Sequence, residues 1–189
     1  MTLAAFECID RHYDAVGDAI ARRALGAAIV DTLRGEPAVD ARELRGHVDR
    51  LRALLETHAA IDRCAELMRR FIDATEQVRG ARSAASYVAA VRDEGRLTSE
   101  MVLLLLEPER DVAFARFFSA LGVVGNLVDK LCDVREDHRA GEVALRPGVR
   151  VHARLAAAFV RGAATTLAAF PRRLALVAWG ARYFAPLLA

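Results

Sequence analysis

The 189 residues predict an all-α fold, a single-domain antiparallel bundle of about seven helices, and two observations carry that expectation. Apolar residues recur at helical spacing over long runs. Only five prolines and twelve glycines interrupt them, and β-branched runs are few. The composition, 54% apolar and 28% charged, is that of a folded globule with enough chain for a core.

The first helix is expected from Leu3 to about Leu33, carrying Asp10, Asp14 and Asp18 at i, i+4 and i+8. For Asp10, charge pairing with Arg11, Arg22 or Arg23 is the expected role. Gly35 and Pro37 break the chain. Asp40 then caps a helix over Ala41–Glu56, with Glu43 as its capping-box partner and Leu44, Val48, Leu51 and Leu55 as its apolar stripe. Another helix follows over Ala59–Val78, where Asp73 and Glu76 are spaced to share a face. Ser83 caps the next, which carries Tyr87 and then the charged run Arg92–Arg96 around Gly95, where the chain bends or presents a charged face. Thr98–Leu106 is apolar enough to be buried.

After a turn at Pro108, Asp111 is placed to cap a long helix led by Phe114, Phe117 and Phe118, where Gly122 and Gly125 permit close approach of a neighbour. The aromatic run reads first as a core stripe and second as a wall against lipid. The same helix presents Asp129, Asp133 and Asp137, a second ladder at i, i+4 and i+8. Gly141 suits its C-terminal cap. Helices over Val151–Ala169 and Pro171–Leu187 complete the bundle, with Pro171 at a first helical position.

Charge is unevenly distributed. The first 142 residues hold 20 basic and 25 acidic groups, whereas seven arginines and no acid follow Glu142. An Arg-rich, apolar C-terminal region suits peripheral contact with an anionic membrane or packing near the acidic helices. No nucleic-acid motif accompanies it, so nucleic acid is not an expected partner. The N-terminus lacks the cationic region of a signal peptide, and no stretch of 18 residues is free of charge, so a cytoplasmic protein without a membrane span is expected. Cys8, Cys64 and Cys132 show no metal-ligand spacing and read as buried small residues in a reducing compartment. The five histidines form no HExxH or ExxH pattern, although His12 and His138 flank the two ladders.

Carboxylates stacked along one helix face repel each other, and desolvation adds to the cost. Two readings are open. Each ladder is a solvated stripe, the second balanced by Lys130, Arg135 and Arg139. Alternatively, Asp14 and Asp18 face Asp133 and Asp137 across one mouth, where carboxylates hold Mg²⁺ and the metal neutralises a departing diphosphate. An apolar bore beneath would then hold a hydrocarbon chain.

At these residues the chain resembles the squalene/phytoene synthase family of isoprenoid synthases. DKLCDVREDHRAGEVALRP is similar to the family's second aspartate motif, matching at Asp133, Glu136, Asp137 and Gly141. CIDRHYDAVGD is similar to the first through Arg11, Asp14 and Asp18, with Ala15 in place of an aspartate. LMRRFIDATEQV, SYVAAV and the final stretch through Tyr183 resemble further family segments in the same order. The chain begins close to the first motif, so it reads as an N-terminally shortened relative whose missing wall a homo- or hetero-oligomer could supply. RDEGR stands where the family has a small-residue floor, and Cys132 replaces an arginine.

The resemblance implies a bundle of the isoprenoid synthase type and an Mg²⁺-dependent prenyltransferase or synthase acting on isoprenyl diphosphates, including head-to-head condensation. Asp14, Asp18, Asp133 and Asp137 would be the catalytic metal ligands. Arg11, Tyr87, Asp129 and Arg139 would contact substrate. The alternatives are a terpene cyclase-like enzyme using one diphosphate and a non-catalytic lipid-binding or assembly subunit of the same fold.

Overall fold

A computed structural model describes residues 2–106 and 112–169. The described residues form seven helices and no strand: α1 (Thr2–Asp14), α2 (Ala19–Arg34), α3 (Arg42–Glu56), α4 (Ile61–Gly80), α5 (Ala84–Leu106), α6 (Val112–Arg139) and α7 (Val149–Ala169). The all-α bundle is therefore as expected. Pro108, Asp111, the helix expected over 171–187 and Tyr183 lie outside the described residues.

The largest departure is at the N-terminus, where one long helix is two. The α-helical ladder stops at Asp14, a turn runs through Gly17, and Asp18 has extended backbone at φ −95°, ψ 131°. Its carboxylate accepts a 2.8 Å hydrogen bond from the Ala21 amide, capping α2. Gly followed by Asp is a stop-and-start signal that outweighs the apolar periodicity on either side. Asp18 consequently does not continue the Asp10–Asp14 face.

Other ends follow local chemistry. Asp40 does not cap α3: Ala41 holds the cap position without a side-chain bond, and Glu43 turns to Arg11 instead. Ser83 does cap α5, accepting from the Ser86 amide at 3.1 Å. At the end of α6, Gly141 has φ +78°, the Gly141 amide bonds the His138 carbonyl and the Glu142 amide bonds the Asp137 carbonyl. This is the paired-bond C-terminal cap that a left-handed glycine permits.

Helix α5 runs through Gly95 without a break, because that glycine is a packing contact. It lies against Gly122 of α6, so the two backbones approach closely. Gly125 faces open space. Helices α4, α5, α6 and α7 pack each against the next, α2 lies on α3 and α4, and α1 packs mainly on α3. By length and apolar content α6 alone among the described helices reaches what a membrane crossing needs. That stretch is not free of charge, since Arg116 and Asp129 lie within it. Phe117 is buried and Phe114 stacks on Phe118 at 5.9 Å, while Leu121 and Val128 remain exposed.

The apolar interior forms two clusters. One joins α1 to α4 with Leu97, Met101 and Leu104 of α5; the other joins the end of α4, the start of α5, α6 and α7 around Tyr87, Leu127, Val134 and Leu155. Cys8 and Cys64 lie in the first, and burial pushes the Cys64 thiol up to about 12. Cys132, in contrast to expectation, is exposed, because it falls on the outer side of α6.

Candidate functional site

Charged side chains from four helices meet around two adjoining cavities. The larger, about 280 Å³, has apolar walls from Phe6, Ile9, Met68, Phe71 and Met101 and a polar side formed by Asp10, Glu94, Asn126, Asp129 and Lys130. The smaller, about 70 Å³, shares Asp10, Glu94 and Lys130 and adds Asp14, Thr75, Arg79, Asp137 and Glu142. Together they are an acidic cleft opening beside an apolar pocket.

Two cations hold this arrangement. Lys130, the only lysine in the chain, donates to Asp137 at 3.0 Å. Burial alone would lower its pKa, but the Asp137 charge and hydrogen bond, with Glu94 adding, raise it above the ordinary value. The ammonium therefore stays charged and is a poor nucleophile. Arg79, whose side chain is 11% exposed, pairs with Asp14. Glu94 is fixed by Thr75 Oγ1 at 2.8 Å and by Asn126 Nδ2 at 2.9 Å, the latter also donating to the Val91 carbonyl.

The carboxylates of Asp10, Asp14, Glu94, Asp129, Asp137 and Glu142 outnumber these two cations, leaving an excess of negative charge. Desolvation by the surrounding helices, then the charges of Asp14 and Glu94, push Asp10 up to about 6 against the pull of Lys130 and Arg79. Asp129 is also raised, by desolvation first and by Asp133 and Asp137 against Lys130. Two donors beside the cleft lack partners. Among the described residues, the Tyr87 hydroxyl, on a fully buried side chain, and Arg79 Nε find no hydrogen-bond partner. Tyr87 feels Lys130, Asp137, Glu94 and Asp129, and burial raises its phenol. Unmatched buried donors of this kind cost free energy unless a ligand or water accepts from them.

An acid whose folded pKa is raised stabilises the fold while protonated and loses that contribution as pH rises from the unfolded value of 3.8 through about 6. Asp10→Asn should therefore melt a few degrees above the wild-type protein at pH 8, with the gap closing by pH 4. Melting curves measured across that range check this, and a gap independent of pH would refute it.

Of the residues expected at the site, Asp14, Asp129 and Asp137 do converge, whereas Tyr87 is fully buried in the second apolar cluster and lines neither cavity. Asp18 is spent as the α2 cap. Arg11 lies toward α3, bonded to Glu43 at 2.6 Å, because its position on α1 faces away from α6. Asp133 and Arg139 are exposed on α6 and line neither cavity. Glu76 is bound by Arg22 and Tyr13, and Asp73 is exposed, so neither joins the cleft. His12 bonds the Cys8 carbonyl and His138 approaches the Val143 carbonyl, which removes both from the mouth.

Asp10, Arg79, Glu94, Asn126 and Lys130 were missed. Asp10 pairs with none of the arginines expected for it; Arg11 and Arg22 are taken by Glu43 and Glu76. Lys130 did carry a sequence signal, as the sole lysine among 27 basic residues. Comparison of the chain with protein-family models, with curated proteins and with solved structures gives no match in any of the three.

Proposed function

We propose that the protein binds an isoprenyl diphosphate together with Mg²⁺ and acts on it as a synthase of the isoprenoid type. The observation that carries this reading is the meeting of Asp10 and Asp14 from α1 with Asp129 and Asp137 from α6 beside an apolar pocket. The donor set is all oxygen and in charge excess, which fits a hard cation. Asp14, Asp129 and Asp137, with Asp10 once ionised, are the residues that would hold it. When bound, Mg²⁺ supplies electrostatic stabilisation of a departing diphosphate.

The chain's own residues add three functions. Arg79 and Lys130 donate to phosphate oxygens. Phe6, Ile9, Met68, Phe71 and Met101 take the hydrocarbon and keep water from its reacting end. At about 280 Å³ the pocket is near the lower limit for small-molecule sites, which favours one substrate and cyclase-like chemistry over joining two. The second reading, a non-catalytic isoprenoid-binding subunit, is favoured by Lys130 and Arg79 already neutralising part of the cleft. Cytoplasmic location at the membrane face, with the Arg-rich C-terminal region as contact, belongs to either reading, as does an oligomer that completes the wall.

Calorimetry with farnesyl diphosphate, with and without Mg²⁺, tests the proposal. Mg²⁺-dependent binding should weaken at least tenfold in Asp137→Asn and in Asp14→Asn, whereas Asp18→Asn, outside the cleft, should bind normally. Product formation then separates enzyme from carrier. Absence of binding, or binding indifferent to metal and to Asp137, would sink both.

A further inference from the structure

A second cluster of ligating side chains lies on the other side of α1. Cys8 Sγ, a carboxylate oxygen of Glu43 and a ring nitrogen of His47 are all within 4.8 Å of one another. Glu43 and His47 are one turn apart on α3, and Cys8 reaches them from α1. On α1, Cys8 is offset by two residues from Asp10, about 200° around the helix, so this cluster and the acidic cleft occupy opposite faces.

The geometry points to a transition-metal site of the zinc type, held by Cys8, Glu43 and His47, with a fourth position open to water or another ligand. The donors are sulfur, nitrogen and oxygen, a mixed set that suits a borderline cation such as Zn²⁺ and not Mg²⁺. At metal–ligand bonds of about 2.0–2.3 Å, tetrahedral donors stand roughly 3.3–3.7 Å apart, so closing the cluster takes side-chain shifts of about 1 Å. Cys8 is 4% exposed and Glu43 lies at the surface, so the sulfur is held by packing while the carboxylate is free to adjust.

The surroundings support ligation. His12 Nδ1 is 2.8 Å from the Cys8 carbonyl, which can only accept, so the proton lies on Nδ1. The same nitrogen is 3.5 Å from Cys8 Sγ, leaving the sulfur as an acceptor of that proton. Arg11 Nη2 stands 4.0 Å from Sγ and 2.6 Å from Glu43. The guanidinium thus stands in for a cation between two of the ligands. Its side chain is 66% exposed, so a metal displaces it at little cost. A bound ion would clip α1 to α3 and thereby hold the helix that carries Asp10 and Asp14.

Titration of the metal-free full chain with Co²⁺, read by absorption, tests this site apart from the cleft. One equivalent should produce a sulfur-to-cobalt charge-transfer band with visible bands of tetrahedral Co²⁺, and Zn²⁺ should displace both. Cys8→Ser should abolish the charge-transfer band. His47→Ala, at a half-buried position, should weaken binding more than tenfold with circular dichroism unchanged. Arg11→Ala should tighten it by about tenfold, since a competing positive charge is gone. Cys132→Ser and Asp137→Asn should leave the band intact. Absence of the band at one equivalent, its loss with Cys132→Ser instead of Cys8→Ser, or indifference to His47→Ala would overturn the assignment.

Discussion

Glu76→Ala should lower the unfolding free energy by about 3–5 kcal/mol, the cost of leaving a buried charge without its partner. That is a large share of the roughly 5–15 kcal/mol typical of a domain. Arg22 and Glu76 are 9% and 7% exposed and form a two-pronged pair at 2.7 and 3.2 Å. Tyr13 donates to the same carboxylate at 3.1 Å, and Arg22 Nη1 donates to the carbonyls of Val16 and Gly17. The network therefore ties the α1–α2 turn to α4, and its loss frees the helix end that carries Asp14.

Burial alone would raise the Glu76 carboxyl, but the hydrogen bonds from Arg22 and Tyr13 and the charges of Arg22 and Arg79 hold it below the ordinary value. Its contribution is thus present above the unfolded carboxylate pKa of about 4.3 and is lost as pH falls through the folded value. Urea denaturation at pH 7 and pH 3 should show the Glu76→Gln deficit shrinking in acid. Glu66→Ala, which breaks an exposed 2.7 Å pair with Arg69, serves as the control and should leave the midpoint unchanged. A Glu76 deficit no larger than that of Glu66 would refute the assignment. The double change Arg22→Met, Glu76→Leu should recover most of the loss, since no charge remains buried.

Gly122→Ala is the second large effect, at about 1–3 kcal/mol of destabilisation from overpacking. A Cβ there would stand 2.7 Å from the Gly95 carbonyl oxygen and collide with Ser99 Oγ. Ser99 can rotate, but the backbone carbonyl cannot, so α5 and α6 must separate. That movement would also shift Glu94 against Asn126 and loosen the cleft. Gly125→Ala, with nothing within 4 Å of the added carbon, should instead stabilise by up to about 1 kcal/mol through helix propensity. Equal effects at the two positions would contradict the close α5–α6 crossing.

The sequence by itself determined the helical class, the apolar faces of α3 and α4, the Ser83 and Gly141 ends, and the azimuths of Asp10 and Asp14 on α1 and of Asp129, Asp133 and Asp137 on α6. These are local properties, set by 3.6-residue periodicity and by which side chains tolerate a helix terminus. Gly17 and Asp18 were equally local, and reading them as a stop and a cap would have divided the first helix correctly. Only the tertiary structure decided which faces meet. Periodicity places Lys130 and Asp137 on one side of α6, two turns apart, but says nothing of Arg79 arriving from α4 or Glu94 from α5. It groups Glu76 with Asp73 by spacing, whereas packing gives Glu76 to Arg22, 54 residues distant. It finds no metal pattern in Cys8, Glu43 and His47, since that cluster exists only where α1 lies on α3. A helix fixes the direction in which a side chain leaves its axis; the fit of apolar surfaces between helices fixes what that side chain encounters.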